Sequence, residues 1–169
     1  MEIRIYPEYY EGPLLHKGIE IYAEEVDGFS RMKLLKDGKA LFHYDKVESD
    51  GRNCPSQTIF QPCIYKTPLI AIGLICCMDI NNPDVYLAIR ESLKETNAEH
   101  KVIAVSAYMT DSSWFSSNTL ASYLHGYYVV LSNGCVNGPS SFISGPDGIK
   151  TKKSEVNLDN AKIINCGLT

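Results

Sequence analysis

The sequence predicts an α/β fold around a mixed sheet, and three observations carry that prediction. A continuous aliphatic run, Leu69-Ile70-Ala71-Ile72-Gly73-Leu74-Ile75, lies between Pro68 and Pro83, the pattern of a strand buried on both faces. Directly after it, Pro83 to Asn97 has a proline near its start and apolar residues at Val85, Leu87, Ile89 and Leu93, which marks a helix. Turn signals at Asp37-Gly38 and Pro146-Asp147-Gly148 place hairpins in both halves, which argues against a purely parallel sheet.

Taken in order, Ile3-Arg4-Ile5-Tyr6 reads as a short strand ending at Pro7-Glu8. Leu14 to Glu25 carries Leu15, Ile19, Tyr22 and Ala23 at helical spacing and is expected to be a helix. Arg31–Leu35 and Ala40–Tyr44 are strands on either side of Lys36-Asp37-Gly38-Lys39. Ser49 to Pro55 is polar and turn-rich, a loop. Ile64 to Cys77 contains the central strand, and Val102-Ile103-Ala104-Val105 is a second buried one. Ser116 to His125 reads as a short helix and Tyr127–Leu131 as a strand, followed by Gly- and Ser-rich loops and the last hairpin.

At 169 residues the chain suits a single domain, 1–169, with a substantial core. Sixteen basic against 20 acidic residues give a net charge of -4, without the basic footprint that nucleic acid or an anionic membrane selects. No stretch approaches the roughly 20 apolar residues of a membrane span. The opening MEIRIYPEYYEG has charges where a signal peptide needs an apolar core, so a cytoplasmic protein is expected. The six cysteines, Cys54, Cys63, Cys76, Cys77, Cys135 and Cys166, are then expected to be thiols rather than a disulfide framework. Zinc sites pair cysteines two to four residues apart, and here the close pair is adjacent. No metal and no cofactor is expected.

The segment Gly73 to Asp84, GLICCMDINNPD, is the most informative in the chain. Side chains alternate along a strand, so Cys76 and Cys77 cannot share a face. One packs in the core; the other sits where the strand ends, the position at which α/β proteins place their chemistry. Two merely buried thiols are the plain alternative, since cysteine is commonly buried.

This segment resembles the nucleophile strand of the nitrilase superfamily of carbon-nitrogen hydrolases, which ends in Cys, an aromatic and an acid, followed by Pro and an acid. So aligned, Cys77 takes the nucleophile position, Met78 replaces the aromatic, and Asp79, Pro83 and Asp84 agree. Ile5-Tyr6-Pro7-Glu8-Tyr9 is similar to the family's strand ending in Pro-Glu. Leu34–Gly38 with His43-Tyr44-Asp45-Lys46 is similar to its hairpin ending in Tyr-x-Lys. Tyr127–Gly134 and Ser140–Gly148 are similar to its late strand and Ser-rich Pro-Asp-Gly hairpin. The four segments occur in the family's order and span nearly the whole chain.

The resemblance implies a four-layer α-β-β-α sandwich, shortened by the usual first strand and helix, that tends to form a homo-oligomer. It implies a Glu8-Lys46-Cys77 triad: Glu8 as general base, Cys77 as nucleophile, and Lys46 with the backbone N–H of Met78 as oxyanion donors. Trp114 falls where the family lines its substrate pocket. The implied partner is a small amide or N-carbamoyl substrate, hydrolysed through a thioester. Three departures stand against the pattern. The interval from Glu8 to Lys46 is short, the second acid after the lysine has only Glu48 and Asp50 as candidates, and Leu124-His125 stands where the family has Glu-Asn. His125 is therefore expected to serve packing or hydrogen bonding. A catalytically degenerate binding or scaffold module is the alternative. A redox role for Cys76-Cys77 ranks last, because adjacent cysteines on a strand make a poor disulfide.

Overall fold

The computed structural model describes residues 1–47, 60–110, 125–151 and 153–168. In chain order the strands of the first half are β1 (Glu2–Glu8), β2 (Ile19–Val26), β3 (Phe29–Lys36), β4 (Lys39–Asp45), β5 (Ile64–Lys66) and β6 (Ile70–Cys76). A 3₁₀ turn (Cys77–Asn81) and the helix α1 (Pro83–Lys94) follow. The chain then forms β7 (His100–Ala107), β8 (Tyr128–Asn133), β9 (Phe142–Ser144), β10 (Lys150–Thr151), β11 (Glu155–Leu158) and β12 (Ala161–Asn165).

These strands make two six-stranded mixed sheets, ordered β11-β12-β1-β2-β3-β4 and β10-β9-β8-β7-β6-β5. In the first, β1 runs parallel to both β12 and β2. In the second, β6, β7 and β8 are parallel, with antiparallel strands on either side. The sheets pack face to face, β1 over β7 and β8, and β3 over β6. Ile3, Ile5, Ile19, Ile21, Met32 and Leu34 fill this interface from the first sheet; Ile70, Ile72, Leu74, Val102 and Val130 fill it from the second. The architecture is an α/β sandwich of two mixed sheets and is poor in helix.

One expected helix is instead a strand. From Ile19 onward the Leu14–Glu25 segment forms β2, which pairs along its length with β3. Its winning pattern is the period-two set Ile19, Ile21 and Ala23, all buried, whereas Leu15 is more than half exposed. An amphipathic strand and a short helix share apolar positions four apart, so spacing alone does not separate them. Pairing with β1 and β3 decides it. Asp27-Gly28, a second Asp-Gly turn, joins β2 to β3 just as Asp37-Gly38 joins β3 to β4. All four turn residues have positive φ, the two-residue geometry that follows the twist of the strands.

The helix after the central strand is present, ending at Lys94. Asn82 caps it, its side chain accepting from the Asp84 N–H, and Pro83 occupies the first turn, where its missing N–H is not needed. Val85, Ile89 and Leu93 are buried against the second sheet, whereas Leu87, expected on that face, is exposed. Each buried aliphatic contributes about 1.5–3 kcal/mol. Close approach of α1 to β6 is set by Gly73, where a Cβ would come within 2.7 Å of Ile89 Cγ2. The expected Ser116–His125 helix lies, but for His125, outside the described residues. No described helix is long and apolar enough to cross a membrane.

Candidate active site

Glu8, Lys46 and Cys77 all lie at strand ends on one side of the sandwich, and each arrives there for a local reason. Along β1, Arg4 and Tyr6 face away from the second sheet, and Tyr6 donates to the Glu20 carboxylate on that outer side at 3.0 Å. Strict alternation would send Glu8 the same way. The register prevents it: Ile5 pairs with Ile21 but Glu8 pairs with Ala23, three steps on β1 against two on β2. Pro7, which has no N–H to give the ladder, lies in this bulge. The bulge turns Glu8 into the space between the sheets, where it is 2% exposed. Ser30 Oγ donates to Glu8 Oε1 at 2.5 Å.

Lys46 follows β4 and is 1% exposed, one of the largest fully buried side chains. Its backbone N–H donates to the Ser30 carbonyl at 2.8 Å. The next amide, Val47 N–H, donates to both Asp79 carboxylate oxygens, at 3.1 and 3.2 Å. Asp79 is fully buried in the 3₁₀ turn two residues after Cys77. It therefore ties the lysine segment to the cysteine segment.

Cys76 ends β6 on its inward face, and its N–H donates to the Tyr44 hydroxyl. Cys77 begins the turn with φ +43, the left-handed region that a side chain adopts only under constraint. That bend takes its thiol off the strand's alternation. Burial pushes the Cys77 thiol up to about 12, the Glu8 charge pushes the same way, and the Lys46 charge opposes both. The Cys77 thiol donates toward the Tyr108 carbonyl, 4.0 Å from its sulfur. Cys76 is also pushed well up by burial, and it feels Glu8 and Lys46 as charges. The five described cysteines are all free thiols.

The structure thus brings Glu8, Lys46 and Cys77 together. Met78 is half-buried in the turn beside Cys77. Trp114, Glu48, Asp50 and Leu124 lie outside the described residues. His125 forms an isolated backbone bridge with Asp147, and its ring lies 3.0 Å from where a Gly148 Cβ would stand, which makes it a partner of the last hairpin. Among the described residues no group of three or more His, Cys, Asp or Glu is arranged to hold a metal ion.

One residue of the site, Ser30, went unread in the sequence, because it reaches Glu8 through long-range pairing and nothing local marks it. Tyr44 and Asn133 fall inside the segments that carry the resemblance, but their part in the site's framework shows only in the structure. Asn133 accepts from Met109 N–H at 2.8 Å and donates to the Pro139 carbonyl at 2.9 Å, bracing the chain just beyond Tyr108.

No family model and no curated protein sequence matches the chain. Solved structures do. An amidase of the nitrilase superfamily from Nesterenkonia AN1, in a cysteine-to-alanine variant, is 15% identical with a TM-score of 0.61 over 78% of this chain and 55% of that one. The NitN amidase of the same source is 18% identical, TM-score 0.59, over 78% of this chain and 56% of that one. A glutamate-to-glutamine variant of that amidase, showing covalent addition of the acetamide moiety of fluoroacetamide at its active-site cysteine, is 18% identical with a TM-score of 0.60. At this identity the likeness establishes the fold. The chain spans a little over half the length of these amidases.

Proposed function

We propose that the chain is a cysteine-dependent hydrolase of non-peptide C–N bonds, acting on a small amide or N-carbamoyl compound through Glu8, Lys46 and Cys77. The observation that carries this reading is the meeting of the Glu8 and Lys46 charges at the Cys77 thiol, with all three residues 2% exposed or less. The strained backbone at Cys77 and the fold shared with cysteine amidases support it. Near-complete burial of all three groups suits a small substrate.

With its thiol pushed up to about 12, Cys77 holds its proton at neutral pH, so a preformed thiolate is not the nucleophile. Glu8 takes the proton as Sγ attacks the carbonyl carbon. The C–S bond forms, and the oxyanion is met by the Lys46 ammonium and the backbone N–H of Met78. Glu8 then returns the proton to the leaving nitrogen, the C–N bond breaks, and a thioester remains. Water enters and adds to the carbonyl carbon as Glu8 takes its proton; the C–S bond then breaks to release the acid, and Glu8 passes the proton to the departing sulfur, which restores the thiol and the carboxylate.

Ammonia release from a panel of small amides and carbamoyl compounds is the test. Glu8→Gln and Lys46→Ala should each lower the rate by about 10²–10⁴-fold, and Cys77→Ala should abolish turnover. Wild-type protein that releases nothing from any of them would favour the binding or scaffold reading. Turnover that survives Glu8→Gln unchanged removes the mechanism.

A further inference from the structure

We propose that Ser30 is the positioning residue of this site, holding the Glu8 carboxylate in the orientation that accepts the Cys77 proton. The inference rests on the reading of Glu8 as the base.

Ser30 lies on β3, opposite Glu25 of β2, two residues beyond the Asp27-Gly28 turn. Its strand face carries Met32 and Leu34 farther along, so the position belongs to an apolar row facing the second sheet. A hydroxyl fully buried there is costly unless it is hydrogen-bonded. Two other buried serines, Ser106 and Ser132, have hydroxyls with no partner among the described residues. Ser30, by contrast, donates to Glu8 Oε1 at 2.5 Å, a short bond of the kind a charged acceptor makes. With one carboxylate oxygen so held, rotation about the last side-chain bond of Glu8 is blocked, and the direction of the other oxygen is set.

The same residue reaches the lysine. The Ser30 carbonyl accepts from Lys46 N–H at 2.8 Å, continuing the β3–β4 pairing past the end of β4. Base and lysine therefore hang from one point on β3, one through its hydroxyl and the other through its backbone. A change of side chain at Ser30 removes the first attachment and leaves the second.

Threonine and valine separate the hydroxyl from the space it fills, because they have nearly the same shape. Wild type, Ser30→Ala, Ser30→Thr, Ser30→Val and Glu8→Gln are compared for kcat and KM on the panel amide turned over fastest, with thermal midpoints for all. Ser30→Ala and Ser30→Val should lose about 10–100-fold in kcat, with KM within about twofold, as misplaced catalytic groups do. Ser30→Thr should recover to within about threefold of wild type. Equal kcat in Ser30→Thr and Ser30→Val, or wild-type kcat in Ser30→Ala, overturns the role of Ser30 while slow Glu8→Gln leaves the base in place. If Glu8→Gln matches wild type, or wild type turns over no amide, the underlying reading fails and this inference with it. Should Ser30→Ala not fold, the threonine and valine pair decides.

Discussion

The outer faces of the two sheets solve the same problem in opposite ways. On the second sheet the outward positions of β6, β7 and β8 include Ala71, Gly73, Ile75, Ile103, Val105, Val129 and Leu131, all buried, with half-buried Lys101 at the start of β7. On the first sheet the outward rows are Glu24–Arg31–Asp45, Tyr22–Lys33–His43 and Arg4–Glu20–Leu35. No described helix packs there. Ion pairs cross the strands instead, Arg31 to Asp45 in a two-bond fork at 2.6 and 3.1 Å, and Lys33 to Glu24. One face is apolar and must be covered; the other alternates polar-out and can meet water. Where the first sheet does need a cover, over Leu35 and Tyr6, a loop supplies it. Buried Glu20 fastens that loop by accepting from Leu15 N–H at 2.7 Å and His16 N–H at 2.9 Å, as well as from Tyr6. Tyr10 stacks on Tyr6 at 4.6 Å between ring centres.

Urea midpoints of single substitutions can break this contrast. The largest loss belongs to Ile89→Ala on α1, which removes the cover over Gly73 and should cost about 2–5 kcal/mol. Glu20→Ala should cost about 2–3 kcal/mol, because it strands the Tyr6 hydroxyl and two loop amides together. A loss below about 0.5 kcal/mol would mean that the loop is not fastened there, and the first sheet would have no covered region at all. Gly73→Ala drives a methyl into Ile89 and should cost about 1–3 kcal/mol. The smallest effect is Lys33→Ala, under about 1 kcal/mol, since its ion pair with Glu24 is partly in water. A loss as large as that of Gly73→Ala would make the polar face as dependent on its side chains as the apolar one.

The candidate site divides along the same line. Cys77 comes from the apolar sheet, and there the sequence was legible: a continuous aliphatic strand, a proline-capped helix and a turn between them are all local signals. Glu8, Ser30 and Lys46 come from the alternating sheet, where register matters more than composition. A step of one residue on such a strand reverses every side chain.

From the sequence alone came the central strand, the start of α1 at Pro83, the Asp37-Gly38 and Pro146-Asp147-Gly148 hairpins, and the order of the three residues of the proposed triad. These are short-range features, each set by neighbours within a few positions. Tertiary structure decided the rest. It made a strand of Ile19–Val26 by giving Ile19, Ile21 and Ala23 partners on both sides. It returned Ala161–Asn165, a segment the sequence left unassigned, to lie parallel beside β1. It used the bulge at Pro7 to turn Glu8 from the outer face to the inner one, where Ser30 donates to it and its charge acts on Cys77. Each of these outcomes depends on which strand lies next to which, and at what register. That information resides in contacts between residues far apart in the chain, where no local pattern can hold it.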